Sequence, residues 1–183
     1  MGAGRDVSDL VLLTLGTGVG GGIISGGKVL RGFVGMAGEL GHITVVPNGN
    51  PCGCGNRSCL EKHASATAIS AMARMLHLGT DPTAEEVYGL ALAGNEKAKT
   101  VFEAMGEALG IALAMLVNTF NFPLYLLSGG PLPAWDFFAP TMFAEVKRRS
   151  FTFRNTDTKI ERATLGNEAG LYGAAYLGLE KTQ

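Results

Sequence analysis

Three cysteines fall within eight consecutive residues, and this spacing constrains the fold more than any other feature of the chain. Cys52, Cys54 and Cys59 are the only cysteines in the sequence, and His42 stands ten residues before the first of them. One imidazole and three thiolates form the Cys3His set that holds structural zinc in tetrahedral geometry. Glycines after Cys52 and Cys54 allow the sharp turns that bring the thiolates together. The sequence therefore predicts a zinc site built from these four residues.

Two other uses of the cysteines fit the pattern less well. A disulfide would leave one of the three cysteines unpaired, and disulfides are rare in cytosolic proteins. Iron–sulfur clusters usually take four thiolates, and the chain has three cysteines. Zinc is the interpretation that uses all three thiolates.

Two glutamates flank this cluster. Glu39 stands three residues before His42, and Glu61 stands two residues after Cys59. A carboxylate can accept hydrogen bonds from two donors at once, which suits the hydroxyl groups of a sugar. A metal that fixes both ends of the loop would hold both carboxylates near it, so Glu39 and Glu61 are candidate sugar ligands. The alternative is that both are solvated loop charges.

A glycine-rich segment follows an apolar run near the start of the chain. Residues 9–15 predict a buried strand, and residues 15–22 contain a formal Gly-x-Gly-x-x-Gly. A dinucleotide-binding loop would open a helix here, whereas residues 23–31 predict strands joined by a Gly26-Gly27 turn. We interpret the segment as a strand–glycine loop–strand unit that brings backbone N–H groups and the Thr17 hydroxyl to phosphate oxygens. Its five glycines in seven positions indicate close approach of a ligand, and a simple tight turn is the alternative.

The remaining segments predict a mixed sheet flanked by helices. A β-branched run predicts a further strand, and a capping box at Thr83 predicts the start of a helix. The expected strands are 43–46, 124–127 and 159–163, and the expected helices are 64–78, 83–94, 95–118, 134–149 and 167–180. With the first strands this gives an α/β fold of order βββαβαβα in one domain, residues 1–183.

Composition argues against two classes of partner. Fifteen basic and sixteen acidic residues give a formal net charge of −1, so no electrostatic footprint for nucleic acid or an anionic membrane is expected. The apolar runs are interrupted before the roughly 20 residues that a membrane span needs. The N-terminal residues lack the apolar core of a secretory signal. We therefore expect a cytoplasmic protein.

Several segments together resemble the ROK family, which comprises repressors and sugar kinases. Residues 35–42 and 52–61 resemble the signature of the family. Residues 15–22 are similar to its second phosphate motif, and residues 127–130 to its adenosine-side glycine turn. Residues 166–175 resemble its closing helix. The resemblance covers essentially the whole chain.

This resemblance implies a ribonuclease H-like fold of the actin–hexokinase type with a zinc-stapled loop, and use of ATP with Mg2+. The implied site residues are Glu39, His42 and Glu61 for the sugar, Thr17 and Gly18 for the ATP phosphates, Gly129 and Gly130 for the adenosine, and His42, Cys52, Cys54 and Cys59 for structural zinc. Two positions depart from the family pattern. Ser58 stands where glycine is usual, and His63 stands where tyrosine is common.

The resemblance also implies what the sequence does not contain. The Asp-x-Gly-Gly-Thr motif and the catalytic Asn-Asp pair of the family belong to an N-terminal lobe, and neither occurs in these 183 residues. We therefore expect the C-terminal lobe of a ROK-type kinase, with no catalytic residue of its own and no turnover alone. Phosphoryl transfer needs a base on the attacking hydroxyl as well as positioning.

Three functions are compatible with the sequence. The first is an ATP-dependent hexose kinase of the glucokinase type, acting on the 6-hydroxyl of glucose, with N-acetylmannosamine, N-acetylglucosamine and fructose as other substrates of that class. The second is the sugar-sensing lobe of a ROK transcriptional repressor. The third is a zinc-stabilised scaffold without a ligand. Helices rich in glycine and alanine, with many Met and Phe residues, predict a homo-oligomer, most simply a dimer.

Overall fold

The computed structural model describes residues 2–166, together with residues 169 and 173. Apart from residues 169 and 173, the helix predicted over 167–180 lies outside these residues. The described strands are β1 Leu10–Leu15, β2 Val19–Ser25, β3 Lys28–Val29, β4 Leu124–Gly129 and β5 Lys159–Arg162. The described helices are α1 Glu61–Ala64, α2 Ala66–Met75, α3 Ala84–Leu92, α4 Glu96–Phe120 and α5 Trp135–Arg149.

The described strands form one mixed sheet in the order β3-β2-β1-β4-β5. β1 pairs antiparallel with β2 and parallel with β4, so it lies at the change of strand direction. β4 is buried along nearly its whole length, as expected of a strand with a neighbour on each side. The predicted mixed sheet with helices is confirmed.

The two faces of the sheet carry cores of different size. Alternate residues of β1 and β4 point to the same face because the side-chain period of a strand is two. Val11, Leu13 and Leu127 belong to the large core that includes the buried residues of α4 and α5. Leu124 and Leu126 point to the other face, where a smaller cluster covers them. The main core therefore lies between the sheet and these two long helices.

Helices α4 and α5 approach closely because α4 has glycines at the contact. A Cβ at Gly106 would overlap the carbonyl of Phe138, and a Cβ at Gly110 would lie 2.6 Å from the carbonyl oxygen of Met142. Each glycine therefore lets the backbone of α5 lie against α4.

The helix boundaries come from local capping. Thr83 and Glu86 form the predicted capping box at the start of α3. Asn95 caps α4 by accepting a hydrogen bond from Ala98 N at 3.1 Å. At its other end α4 stops at Asn121, whose φ of 51° is left-handed. These local signals explain why the predicted helices 83–94 and 95–118 match the observed ones closely.

Two elements differ from the sequence-based expectation. The helix predicted over 64–78 is divided, because Ser65 is extended (φ −91°, ψ 165°) and caps α2 by accepting a hydrogen bond from Ala68 N. Residues 43–46 do not form a strand, and only Thr44 makes an isolated antiparallel bridge, to Cys59. Pairing stops there because residues 52–58 turn back on themselves, as described below.

Among the described residues, α4 has the length and apolar composition that a membrane span requires. An 18-residue segment of it has a mean hydropathy of 1.6, and 72% of that segment is buried in the structure. Core helices of globular proteins have the same properties. The apolar character of α4 therefore agrees with its place in the main core.

Candidate functional site

The predicted zinc ligands are held by two chain segments that run side by side. Val45 N donates to the Ser58 carbonyl, and Leu60 N donates to the Ile43 carbonyl, both at 2.9 Å. Between these segments a tight turn is closed by the hydrogen bond from Cys52 N to the Asn56 carbonyl at 2.8 Å. The backbone itself therefore brings the cysteine turn back toward His42.

The four predicted ligands converge on one point. The ligand atoms of His42, Cys52, Cys54 and Cys59 all lie within 4.8 Å of one another. Cys54 Sγ lies 3.6 Å from Cys59 Sγ, and Cys52 Sγ lies 3.7 Å from His42 Nδ1. Tetrahedral zinc with Zn–S bonds of about 2.3 Å requires ligand separations of roughly 3.6–3.8 Å. Two of the separations therefore match tetrahedral zinc, and the donor set of three thiols and one imidazole suits the ion that the sequence predicts.

The protonation of the thiols reflects their burial. Burial, followed by the neighbouring Cys52 and Cys54 thiols, raises the pKa of Cys59 to about 12. At Cys52 the Cys54 backbone N–H lowers the pKa, but burial and the hydrogen bond to Glu61 outweigh it, so the pKa is raised. The pKa of the exposed Cys54 is lowered, chiefly by the Asn56 backbone N–H. A bound cation would favour the thiolates, so metal binding and thiol deprotonation are coupled.

The two ring nitrogens of His42 face different groups. Nδ1 faces Cys52 Sγ, whereas Nε2 lies 4.0 Å from Glu39 Oε2. Glu39 is exposed and His42 is half-buried. The imidazole therefore lies between the cysteine thiols on one side and an accessible carboxylate on the other; these thiols and His42 are called the metal cluster below, after the ion they are predicted to bind.

Glu61 lies between the metal cluster and the glycine loop. Its Oε1 accepts a hydrogen bond from Cys52 Sγ at 3.2 Å. Its Oε2 lies 2.8 Å from the position that a Cβ would occupy at Gly18. The structure thus places Glu61, the second candidate sugar ligand, next to both the predicted metal ligands and the predicted phosphate loop.

Hydrogen bonds tie the glycine loop to the segment that follows Glu61. Ala66 N donates to the Gly16 carbonyl at 2.8 Å, and the Thr67 hydroxyl donates to the Thr17 carbonyl at 2.7 Å. The loop between β1 and β2 has only three residues, 16–18. It is therefore held in a fixed relation to α1 and α2.

Glycine stands at different positions of this segment for different structural reasons. β2 begins at Val19, earlier than expected, so Gly20 and Gly22 lie within a strand and a Cβ at either would meet no atom within 4 Å. A Cβ at Gly21 would overlap the Gly38 carbonyl. The inference from five glycines to ligand approach is therefore wrong for Gly21, where close packing of the protein itself excludes a side chain.

A cavity of about 520 Å³ opens beside the glycine loop. Thr17 and Gly130 both line it, so two of the predicted nucleotide residues meet there. Gly18 and Gly129 are not among its lining residues, and a Cβ at Gly129 would overlap the Leu15 carbonyl. The residues that complete the wall include Ala84, Glu85, Tyr88, Phe102 and Pro131.

Sequence reasoning did not identify the aromatic wall of this cavity. Tyr88 and Phe102 meet edge to face, with ring centroids 6.4 Å apart. They come from α3 and α4, which the sequence predicts as helices without indicating what they face. The capping box at the start of α3 is the one local signal near this wall, and it predicts a helix end rather than a binding residue.

The two departures from the family pattern have visible consequences. Ser58 is fully buried with φ 60°, a left-handed conformation that favours glycine, and its hydroxyl accepts a hydrogen bond from Gly49 N. The pKa of His63 is lowered by burial, and its Nε2 is buried without a hydrogen-bond partner among the described residues. Ser58 therefore combines backbone strain with a hydrogen bond that glycine could not make.

Comparison with known proteins assigns this arrangement to a family. The ROK family profile matches residues 1–181. The chain belongs to the ROK family. The sequence is 39% identical over 194 residues to a glucokinase of Halalkalibacterium halodurans, covering 96% of this chain and 58% of that protein. It is 34% identical over 172 residues to an N-acetylmannosamine kinase of Citrobacter koseri, covering 94% of the chain and 57% of that kinase.

Solved structures of ROK proteins have the same fold. The ROK hexokinase of Thermus thermophilus aligns with a TM-score of 0.88 at 35% identity, over 99% of this chain and 61% of that one. A ROK glucokinase of Streptomyces griseus, solved with glucose and AMPPNP, aligns with a TM-score of 0.83 at 32% identity, over 96% and 62%. A ROK transcriptional regulator, a homologue of the E. coli MLC protein, aligns with a TM-score of 0.82 at 31% identity, over 92% and 45%. The chain spans less than two thirds of each of these proteins.

Proposed function

We propose that this chain is the sugar- and nucleotide-binding lobe of an ATP-dependent hexose kinase that phosphorylates the 6-hydroxyl of glucose. The observation that carries the proposal is the position of Glu61. Its Oε1 lies 3.2 Å from Cys52 Sγ, and its Oε2 lies 2.8 Å from the position that a Cβ would occupy at Gly18. A kinase must hold the acceptor hydroxyl next to the phosphate it receives. A sugar ligand beside the phosphate loop meets that requirement.

In this proposal the sugar is bound by Glu39, His42 and Glu61. The two carboxylates accept hydrogen bonds from sugar hydroxyls, and such charge-assisted bonds are about twice as strong as neutral ones. Zinc at His42 and the three cysteines would be structural, because a closed Cys3His set leaves no coordination position for substrate. Its role would be to fix the orientation of the His42 ring, so that Nε2 faces the sugar side.

The nucleotide would occupy the cavity beside the glycine loop. Thr17 lies at its edge, and a threonine hydroxyl there suits phosphate oxygens. Tyr88, which packs on the buried Phe102, offers an aromatic side chain of the kind that packs against a nucleobase. The S. griseus glucokinase, solved with AMPPNP, supports ATP as the nucleotide. Mg2+ would accompany the phosphates, as phosphoryl transfer requires.

Catalysis would need a base that this sequence does not supply. None of the Asp residues in the 183-residue sequence follows an Asn, and Glu39 and Glu61 are assigned to hydroxyl binding. Loss of a general base typically costs about two to four decades in rate. The chain alone would therefore bind substrates without turnover. The homodimer and the cytoplasmic location expected from the sequence both stay predictions.

A coupled assay with Mg-ATP tests the proposal in two forms of the protein. The 183-residue chain should release no ADP with glucose. A chimera that places the N-terminal part of the H. halodurans glucokinase before residue 1 should phosphorylate glucose, and the matched Glu61→Gln chimera should not at the same glucose concentration. Turnover by the isolated chain would mean that the base is misassigned. A folded, zinc-loaded chimera without glucose-dependent turnover would contradict the proposed hexose kinase activity.

A sugar-sensing repressor lobe is the second candidate, and the alignment with the ROK transcriptional regulator favours it. A repressor would keep the sugar ligands but has no need of a nucleotide cavity. Calorimetric titration of Mg-ATP into the chain separates the two candidates, because the kinase lobe should bind nucleotide in the cavity that Tyr88 lines. Glucose binding without any nucleotide binding would favour the repressor.

A further inference from the structure

Gly18 has a different environment from the other glycines of its segment. A Cβ at Gly18 would lie 2.8 Å from Glu61 Oε2 and 3.9 Å from Glu61 Cδ, and no other atom would come within 4 Å. A Cβ at Gly20, two residues further, would meet nothing within 4 Å. The space that a side chain would take at position 18 is therefore the space that the Glu61 carboxylate occupies.

The backbone does not require glycine at position 18. Its φ lies outside the left-handed range in which glycine is favoured, unlike Gly26 and Gly27 in the next turn. Gly18 is also absent from the residues that line the nucleotide cavity, although its neighbour Thr17 is present. Neither backbone conformation nor the wall of the cavity therefore explains why this position lacks a side chain.

The Glu61 carboxylate is confined on its other side as well. Oε1 lies 3.2 Å from Cys52 Sγ, so the carboxylate has no room to move further toward that sulfur. The hydrogen bonds from Ala66 N and the Thr67 hydroxyl to the loop carbonyls keep α1 and α2 against residues 16–18. Glu61 cannot move away from the loop as a rigid body, so its carboxylate position depends on what stands at position 18.

We propose that Gly18 is a positioning residue for the sugar site: by lacking a side chain it leaves room for the Glu61 carboxylate between the glycine loop and Cys52. This inference rests on the proposed function, in which Glu61 binds a sugar hydroxyl. It gives Gly18 a role toward the sugar in addition to the role toward the ATP phosphates that the family resemblance implies. A methyl group there would displace the carboxylate by rotating a flexible side chain, which leaves the backbone hydrogen bonds of the loop intact.

The test compares Gly18→Ala with Gly20→Ala in the zinc-loaded chain, using calorimetric titration of glucose and of Mg-ATP. Gly18→Ala should weaken glucose binding by about tenfold or more, because a charge-assisted hydrogen bond is lost. It should weaken Mg-ATP binding much less than glucose binding, because alanine keeps the backbone N–H of position 18. Gly20→Ala should change neither Kd. A Gly18→Ala variant that loses affinity for Mg-ATP instead would identify a phosphate-contacting residue and overturn the inference.

A double-mutant cycle with Glu61→Ala separates this inference from the proposed function. Once the carboxylate is removed, Gly18→Ala should cause no further loss of glucose affinity. If Glu61→Ala leaves glucose binding unchanged, or if the wild-type chain binds no glucose, the proposed function fails. If Glu61→Ala weakens binding and Gly18→Ala does not, only the positioning role fails.

Crystal structures of the two glycine variants test the geometry without any ligand. The Glu61 carboxylate should leave Cys52 Sγ in Gly18→Ala and keep its place in Gly20→Ala. An unmoved carboxylate in Gly18→Ala would overturn the inference, whatever the affinities.

Discussion

His42 and Glu39 meet through the imidazole nitrogen that faces away from the cysteines: His42 Nε2 lies 4.0 Å from Glu39 Oε2, while Nδ1 faces Cys52 Sγ. The imidazole of His42 therefore faces the predicted metal ligands on one side and a predicted sugar ligand on the other. Substitutions at the two residues should affect metal content and sugar affinity separately, because His42 is one of the four predicted metal ligands and Glu39 is not.

Glu39→Gln should weaken glucose binding while leaving the zinc content unchanged. Replacing a carboxylate acceptor by a neutral amide weakens each hydrogen bond, and we expect a loss of about tenfold in affinity. His42→Ala should lower both glucose affinity and zinc content. Calorimetry and elemental analysis of the same preparations measure the two quantities. Loss of zinc in Glu39→Gln would show that the two sites are not separable in this way.

The Cys3His set predicts the metal content of the purified protein. Protein purified without added metal should hold one zinc per chain by elemental analysis. Cys54→Ser should lose it and lower the unfolding temperature, because structural zinc contributes folding free energy. A loss of about 2 kcal/mol would correspond to roughly 4–8 °C for a domain of this size.

Gly53→Ala is the matched control for this substitution. The sequence suggests that a glycine is needed after Cys52, but the φ of Gly53 is not left-handed and a Cβ there meets no atom within 4 Å. This change in the same turn should therefore retain both zinc and stability. Wild-type protein with well under half an equivalent of zinc would refute the metal assignment.

The capped helices show how far local signals predict this fold. Thr83 with Glu86, and Asn95, determine helix ends through contacts within three residues, so their positions can be inferred from sequence alone. The zinc set is similarly local, since its three cysteines share one turn and His42 is only ten residues away. Spacing therefore predicted the helix ends correctly, and the four predicted ligands lie close together in the structure; zinc itself stays a prediction.

Other features depend on contacts between distant segments. Residues 43–46 have β-branched side chains, but their partner segment bends into the cysteine turn after a single bridge. Gly21 lacks a side chain because Gly38 lies against it, and Tyr88 lines a cavity that only the packing of α3 creates. Periodicity and turn signals carry no information about such neighbours.

At position 58, substitution by glycine should destabilise the protein less than substitution by alanine, which is the reverse of the usual order. Glycine relieves the left-handed strain, worth about 1 kcal/mol, and this roughly cancels the loss of the hydrogen bond from Gly49 N. Alanine keeps the strain and loses the bond, so Ser58→Ala should be about 1–2 kcal/mol less stable than wild type. Urea unfolding measures both. Ser58→Gly that is less stable than Ser58→Ala would contradict the strained conformation.

The capping box of α3 predicts a pH-dependent contribution to stability. The Thr83 backbone N–H, followed by its hydroxyl, lowers the pKa of Glu86. A carboxyl whose folded pKa is depressed stabilises the fold above its unfolded pKa, and this contribution is lost as pH falls through the folded value. Wild type should therefore exceed Glu86→Gln in stability at pH 7, and the difference should shrink below about pH 4.5.

Urea unfolding at a series of pH values measures this difference. Glu103→Gln, on the exposed side of α4, is the control and should show little difference at pH 7. A stability difference between wild type and Glu86→Gln that is constant down to pH 3 would show that ionisation of Glu86 does not stabilise this cap.

The most direct test of the central claim is calorimetric titration of glucose into the zinc-loaded chain, for wild type, Glu61→Gln and the exposed control Glu161→Gln. The account predicts saturable one-site binding in wild type and Glu161→Gln, and affinity at least about tenfold weaker in Glu61→Gln. Equal affinity in all three proteins, or no binding of glucose by the wild-type chain, would contradict it.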